Sequence, residues 1–164
     1  MRALTIRQPW AWAVIHADKT VENRSRNIAG DYRGPVAIHA GLEIDEAGQH
    51  DPLIREAWTG ETRLTEDLDR PTFYHDVPWR KAFSYGRVIG VADLADVHYI
   101  DGHSERWDAQ GEQNATCSPW AHHGPIWHLI FANPRPLTHP IQVRGQLGLW
   151  TLPDDIEQAV RRQL

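Results

Sequence analysis

The chain has few of the features that mark secreted, disulfide-stabilised or membrane proteins. Among its 164 residues there is one cysteine, Cys117, so no disulfide can form within the chain. No apolar run approaches the roughly 18 residues that a membrane-spanning helix needs. Gln8 and Pro9 also interrupt the apolar N-terminal stretch where a signal peptide would need its continuous core. We therefore expect a soluble protein of a reducing compartment, the cytoplasm, with no membrane partner.

Positive charge is also scarce. The chain has 17 Lys and Arg against 22 Asp and Glu, a net charge of -5, whereas a protein that coats nucleic acid by charge needs many cations to neutralise phosphates. The charges are segregated along the sequence. Residues 1–35 contain six basic and three acidic residues, whereas residues 43–69 contain nine acidic and two basic ones. Any phosphate is expected to bind near the N-terminal segment.

The rest of the composition is that of a globular protein with a substantial core. Hydrophobic residues make up 41% of the chain and charged residues 24%, and there are eight tryptophans. This composition is far from that of disordered proteins, and the length is close to that of one domain. We expect residues 1–164 to form a single domain.

The first 40 residues predict three strands and one helix. Residues 3–7 alternate apolar and polar side chains, which is typical of a half-buried strand. Pro9 suits the first turn of a helix that continues to about His16 and is apolar almost all round, as in a buried helix. Residues 20–24 and 35–40 predict two further short strands.

The remainder predicts a helical covering segment, further strands and a terminal helix. Gly90 indicates a bulge or a close backbone approach, and three prolines, Pro134, Pro136 and Pro140, suit turns between strands or the edges of a sheet. The predicted elements are a helical segment over 42–69, a strand over 86–98, a long loop over 101–123, strands over 126–132 and 141–152, and a helix over 153–164.

A dense group of polar and aromatic side chains occupies the N-terminal strands and helix. Arginine can bind phosphate through two hydrogen bonds, and tryptophan offers a stacking face for a base. The group therefore predicts a nucleotide-binding cleft. The alternative is a surface ion-pair ladder between Glu22 and Arg24, worth at most about 1 kcal/mol, with Trp10 in the core. The members are Gln8, Trp10, Lys19, Glu22, Arg24, Arg26 and Arg33.

Four residues elsewhere are candidate ligand contacts. His39, in the third predicted strand, either faces the cleft or is a hydrogen-bonded core histidine. Trp79 lies beside two basic residues, which suits a single-stranded ligand, although a buried anchor for a loop is the alternative. Arg144 is near the last strand and is expected to close the cleft from the opposite side. Trp120, in the long loop, has the same two interpretations as Trp79, with ligand contact favoured by its place in a loop.

The histidines and the cysteine predict no metal site. Cys117, His122, His123 and His128 are close in sequence, but their spacing matches no closed zinc pattern. Solvated loop histidines are the simpler interpretation, and we expect no cofactor.

The N-terminal sequence LTIRQPWAWAVIHADKTVENRSR resembles the opening of ASCH domains, which are related to PUA and EVE folds. Members open with a strand, then QPW or QPY, a short helix and a GxKxxExR-like segment, here Lys19, Glu22 and Arg24. Asp18 stands where glycine is usual, and because aspartate tolerates a positive φ better than most residues we expect the turn to survive. The resemblance continues through RGPVAIHAG, GRVIGVADLADV and GQLGLWTL.

The resemblance implies an α+β fold: a PUA-like β-barrel with a short N-terminal helix, a helical covering segment and a C-terminal helix. It also implies a cleft lined by the lysine, glutamate and arginine segment and a function related to RNA or modified nucleotides. Some small bacterial members are N4-acetylcytidine amidohydrolases and others are reported as ribonucleases. The amidohydrolases have a threonine nucleophile where this chain has Glu22, and a carboxylate cannot replace that alcohol in acyl transfer.

Three hypotheses follow. The first is a binding domain for RNA or a nucleotide-like ligand, with DNA as a possible substitute. The second is a hydrolase on modified nucleosides or RNA, in which Lys19 stabilises an oxyanion and Glu22, or an acid from elsewhere in the fold, moves protons as the catalytic pair. The third is a protein-interaction domain in transcription coactivation, in which the acids of residues 43–69 bind the partner.

Overall fold

The fold is α+β, and the described residues form one curled six-stranded sheet and three α-helices. The structure is a computed structural model, and it describes residues 1–62, 83–101 and 117–164. The elements are β1 (Arg2–Gln8), α1 (Trp10–His16), β2 (Val21–Arg24), β3 (Gly34–Ile44), a 3-10 turn (Ala47–His50), α2 (Pro52–Thr62), β4 (Arg87–Asp101), β5 (Pro125–Gln142), β6 (Leu149–Thr151) and α3 (Asp154–Arg161). None of the helices in these ranges is long and apolar enough to cross a membrane.

The sheet has the strand order β2-β5-β4-β3-β1-β6. β1 and β3 run parallel, and every other neighbouring pair is antiparallel. The sheet curls so far that a side chain on β2 reaches β1, although three strands separate them in the sheet. Arg24 Nη2 donates to the Thr5 carbonyl at 3.1 Å. This curl produces the concave surface on which the candidate site lies.

Helix α1 is buried on two sides, as its nearly uniform apolar sequence predicts. Val14 and Ile15 pack with the main core of the sheet, whereas Trp12 and Ala13 form a second cluster with Ile54 of α2 and with nearby aromatic residues. Each fully buried aliphatic side chain of this size contributes roughly 1.5–3 kcal/mol. The helix therefore holds the strand before it and the turn after it in fixed positions.

The turn at Asp18 and the bulge at Gly90 confirm two predictions. Asp18 has a φ of 49°, in the left-handed region. At Gly90 the β4–β5 register shifts, and a Cβ there would lie 2.6 Å from Ile15 Cδ1 and 2.9 Å from the Arg135 carbonyl oxygen. Only glycine allows β4, β5 and α1 to approach so closely.

Two predicted boundaries are wrong in the first half of the chain. The helical segment was expected from Leu42, but β3 continues to Ile44 because its last residues extend beside the end of β1, with Gln8 opposite Ile44. Helix α2 begins only at Pro52, where Asp51 caps it by accepting from the backbone N–H groups of Leu53 and Ile54. Residues 63–69 of the predicted segment lie outside the described residues.

The prediction of separate strands on either side of the prolines is also wrong. β5 runs unbroken from Pro125 to Gln142, and Pro136 pairs with Gly90. Because β2 pairs only with residues 127–130, the proline-containing half of β5 has one neighbouring strand among the described elements, and missing N–H donors cost little on the other side. The last predicted strand is reduced to Leu149–Thr151, and Asp101 belongs to β4 rather than to the long loop. Residues 102–116 of that loop lie outside the described residues.

Candidate functional site

A cleft of about 1070 Å³ opens on the concave side of the curled sheet. Its walls are the end of β1, strand β2, the second half of β3, the segment around Trp120 and the loop over residues 142–148. Seven of the predicted site residues line it: Trp10, Lys19, Glu22, Arg24, His39, Trp120 and Arg144. They come from five parts of the chain, so the fold gathers groups that are more than a hundred residues apart in sequence.

A chain of ion pairs leads from the interior to the cleft. The Lys19 ammonium lies 2.9 Å from Glu22 Oε2 and also donates to the Val21 carbonyl, and Glu22 Oε1 accepts from Arg24 Nη2 at 3.1 Å. The exposed fractions of these side chains are 3%, 11% and 30% in the order Lys19, Glu22, Arg24. Lys19 and Glu22 are thus a buried pair, and Arg24 is the member that meets solvent.

The local turn explains why Lys19 is buried. The left-handed backbone at Asp18 ends α1 and lets the Lys19 N–H donate to the Ala13 carbonyl at 3.1 Å. β2 then begins at Val21, which places Glu22 and Arg24 on one face by the two-residue period of a strand. The spacing of Lys19, Glu22 and Arg24 therefore follows from a helix end joined to a strand.

Arg24 has hydrogen-bonding capacity left over. A guanidinium has five N–H donors, and the described residues accept only from Nη2, through Glu22 and the Thr5 carbonyl. Its Nε is buried and has no partner among the described residues. The guanidinium is fixed on the cleft wall, and Nη1 is the nitrogen whose N–H donors are left for a ligand among the described contacts.

Two tryptophans line the cleft close to this group. The rings of Trp10 and Trp120 meet edge to face, with centroids 6.5 Å apart. Trp10 Nε1 donates to Asp45 Oδ2 at 3.0 Å, and the Lys19 ammonium lies 5.8 Å from the Trp10 ring centroid. The Trp120 carbonyl accepts from Asn23 Nδ2 at 2.9 Å. A polar bond to Asp45 thus holds the Trp10 ring, and Asn23 holds the backbone at Trp120, which leaves aromatic surface at a polar cleft.

His39 lies at the base of the cleft and is only 1% exposed. Its Nε2 lies 3.0 Å from the Val143 carbonyl, which assigns the proton to Nε2, and its Nδ1 has no partner among the described residues. Burial lowers the pKa of His39, partly offset by its hydrogen bond to Val143. A neutral ring therefore ties β3 to the loop over 142–148. A Cβ at Gly145 would lie 2.5 Å from His39 Cε1.

The charges of the described residues that line the cleft balance. Its lining includes four cations, Arg7, Lys19, Arg24 and Arg144, and four carboxylates, Glu22, Glu43, Asp45 and Asp51. Most of the cations are paired, because Arg7 also binds Glu43 at 2.6 Å. Arg144 is exposed and forms no ion pair with any residue in the described ranges. This described part of the lining can accept one or two phosphates and has no continuous row of free cations for a long phosphate backbone.

The comparisons with known proteins agree with this fold. The family model of the ASCH domain matches residues 4–140. The chain belongs to the ASCH domain family. Two solved structures similar to this ASCH domain are crystal structures of ZmASCH variants from Zymomonas mobilis, one with tyrosine replaced by phenylalanine and one with serine replaced by alanine.

Both ZmASCH variants are 15% identical to this ASCH domain, with a TM-score of 0.52. The first alignment covers 98% of this chain and 96% of the other, and the second covers 99% and 96%. At this level of identity the similarity concerns the fold alone. The comparison with curated proteins found no match.

Three of the other predicted site residues, all of them described, are not in the cleft lining of the ASCH domain. Gln8 is 1% exposed and its amide serves the core, with Nε2 donating to the Ser84 carbonyl and Oε1 accepting from the Trp12 N–H. Arg26 is exposed beyond the end of β2. Arg33 binds the Gly30 and Tyr32 carbonyls and lies 3.7 Å from Asp96. Trp79 lies outside the described residues.

Some cleft residues were not identified from sequence. Thr5 supplies its carbonyl to Arg24 and its hydroxyl to Trp150 Nε1, and Asn23 holds the segment around Trp120 through both ends of its amide. Asp45 orients Trp10. Asn23 lies between Glu22 and Arg24 in the sequence, so its place within the polar group was a local signal that could have predicted it as a cleft residue. The others depend on contacts between distant parts of the chain.

Proposed function

We propose that this ASCH domain binds a nucleotide unit of single-stranded nucleic acid, with RNA as the first candidate, in the cleft around Arg24. The observation that carries the proposal is the Arg24 guanidinium, which Glu22 and Thr5 hold on the cleft wall. Some of its N–H donors have no acceptor among the described residues. Because Nη2 donates to Glu22 and Thr5 and Nε is buried, the Nη1 N–H groups are the ones that can donate to a phosphate or a base edge. Charge-assisted bonds of this kind contribute about 1.5–3 kcal/mol.

The Trp10 and Trp120 rings give the base an apolar surface. Stacking of a base on an aromatic side chain contributes about 1–3 kcal/mol and tolerates every base, because each has a π-face. The buried Lys19–Glu22 pair stands behind Arg24 and fixes the position of its guanidinium. In this proposal Arg24 and the two tryptophans touch the ligand, whereas Lys19 and Glu22 hold the Arg24 guanidinium in position.

The balanced charge of the lining distinguishes this site from a general nucleic-acid surface. With Arg24 and Arg144 as the cations best placed to meet a ligand, one or two phosphates are expected to be bound. We assign residues 1–164 to one ASCH domain of the PUA-like barrel type, which is supported by the curl that brings β2 to β1. RNA, or DNA in its place, is the partner in this assignment.

The test is a fluorescence anisotropy titration of a short labelled single-stranded RNA with the protein and its variants. Arg24→Ala is expected to weaken binding about 10- to 150-fold, because a charge-assisted contact is lost. Arg24→Lys keeps the charge but loses the planar fork and is expected to remain impaired. Arg162→Ala, an exposed arginine just beyond α3, is the matched control for loss of one positive charge. Equal affinities for the Arg24 and Arg162 variants would refute the proposal.

Hydrolysis of a modified nucleoside or of RNA is the second candidate. It is favoured by one observation, the Lys19–Glu22 pair in the lining of the cleft. Incubation with N4-acetylcytidine and with RNA tests it, because an enzyme that uses this pair releases product and Glu22→Gln abolishes the release. The binding function predicts no product from either substrate.

A further inference from the structure

A second cluster of polar side chains, separate from the ion pairs of Lys19, Glu22 and Arg24, contains two histidines and the cysteine. We propose that His98, Cys117 and His128 bind a divalent transition-metal ion, with Zn²⁺ as the best match. One potential ligand atom from each residue lies within 4.8 Å of the other two, and Cys117 Sγ is 3.2 Å from His128 Nδ1. Local spacing predicted no metal site, because His98 is on β4 and far from Cys117 in sequence.

Both histidines are already oriented in the way that metal-bound histidines are. A metal-binding imidazole almost always donates its other N–H to a carboxylate or a backbone carbonyl. His98 Nδ1 lies 3.0 Å from Asp96 Oδ2, and His128 Nε2 lies 3.0 Å from the His122 carbonyl. These bonds leave His98 Nε2 and His128 Nδ1 as the nitrogens with free lone pairs, and His128 Nδ1 is the one that faces the sulfur.

The separations need little change to hold a metal. Zinc bonds of about 2.3 Å to sulfur and 2.0 Å to nitrogen, at a tetrahedral angle, place the two ligand atoms about 3.5 Å apart. The observed 3.2 Å between Cys117 Sγ and His128 Nδ1 is close to that value. One thiolate and two imidazoles suit zinc or copper and not magnesium or calcium, which prefer oxygen. Binding releases the thiol proton of Cys117 to solvent.

The site would connect the sheet to the segment that carries Trp120. His98 and His128 are paired neighbours on β4 and β5, whereas Cys117 begins the segment that continues through Trp120 to His122. With two ligands from the sheet and one from this segment, a bound metal would fasten the segment to the sheet. Three protein ligands leave a fourth tetrahedral position for water.

Cobalt(II) is a suitable probe, because a cobalt–thiolate bond gives a charge-transfer absorption in the near ultraviolet. We expect the reduced, full-length protein to bind one Co²⁺ per chain with this absorption, and Zn²⁺ to displace it. Cys117→Ser should remove the absorption. Asp96→Asn, which removes the carboxylate behind His98, should weaken binding roughly 10- to 100-fold. His123→Ala, a neighbouring exposed histidine outside the cluster, is the matched control and should bind as the original protein does.

The variants are chosen to fold. Cys117 is exposed and the Asp96 side chain is 58% exposed, whereas His128 is 2% exposed and is left unchanged. Circular dichroism confirms that each variant is folded before titration. The proposal is overturned if no thiolate absorption appears, if Cys117→Ser retains it, or if His123→Ala weakens binding as much as Asp96→Asn does.

Discussion

The buried pair of Lys19 and Glu22 gives the sharpest prediction about stability. Both side chains are nearly inaccessible, at 3% and 11% exposed, and their charged atoms are 2.9 Å apart. Removing one partner of a buried ion pair costs about 3–5 kcal/mol, because the remaining charge stays buried without compensation. Glu22 keeps Arg24 at 3.1 Å after Lys19→Met, so we expect the lower end, about 3 kcal/mol.

A double-mutant cycle separates the pair from its surroundings. Glu22→Gln leaves the Lys19 ammonium with neutral acceptors only, and we expect a similar loss. The double variant Lys19→Met/Glu22→Gln contains no buried charge at either position, and the glutamine oxygen can still accept from Arg24. We expect the double variant to be more stable than either single variant, with a coupling energy above about 1 kcal/mol.

Urea unfolding at neutral pH, followed by tryptophan fluorescence, measures these free energies. A loss of about 3 kcal/mol also corresponds to a fall of roughly 6–12 °C in the melting temperature for a domain of this size. The reasoning is refuted if the stability loss of the double variant equals the sum of the two single losses within about 0.5 kcal/mol, since independent sites behave in that way. It is also refuted if Lys19→Met is as stable as the original protein.

Three further predictions concern single positions. Asp18→Gly should raise the unfolding free energy by about 0.5–1 kcal/mol, because glycine adopts the observed φ of 49° without the steric cost that a Cβ brings in the left-handed region. Asp18→Ala should not stabilise the protein, and the urea midpoints of the two variants test the difference. Gly145→Ala should destabilise by about 1–3 kcal/mol, because its Cβ would lie 2.5 Å from His39 Cε1 and 2.9 Å from Thr5 Oγ1; an unchanged midpoint would contradict the packing described. Burial lowers the pKa of His39, so the unfolded chain binds the proton more readily and stability should fall as the pH drops below about 6.5, by at most about 1.4 kcal/mol per pH unit. Urea midpoints across this range should show a shallower fall for His39→Gln, and an identical fall would rule out His39 as a contributor.

The parts of the fold that sequence predicted best are those determined by local periodicity. Strand β1, helix α1, strand β2 and the left-handed turn at Asp18 all follow from short-range patterns and from the backbone preferences of particular residues. Lys19, Glu22 and Arg24 come together for the same reason, because a helix end and a strand with a two-residue period place them there. The part of the candidate site formed by Lys19, Glu22 and Arg24 could therefore be predicted from the sequence.

The parts that sequence could not predict depend on long-range pairing. Proline predicted a break in β5, but whether a missing N–H matters depends on whether another strand lies beside it, which no local pattern contains. Gln8 was expected in the cleft, yet its amide is used by Ser84 and Trp12. The contact of Trp10 with Trp120, and the proximity of His98 to Cys117, join residues from separate elements and appear only in the folded chain.

The dependence of RNA binding on salt tests the central proposal most directly. If one or two phosphates are bound beside Arg24 in a cleft of balanced charge, the logarithm of the binding constant should fall with the logarithm of salt concentration with a slope of about -0.7 to -1.4. In Arg24→Ala the slope should shrink by about 0.7, since one phosphate contact is lost. Absence of binding at low salt, or a slope that Arg24→Ala leaves unchanged, would contradict the proposal that this cleft holds the nucleotide.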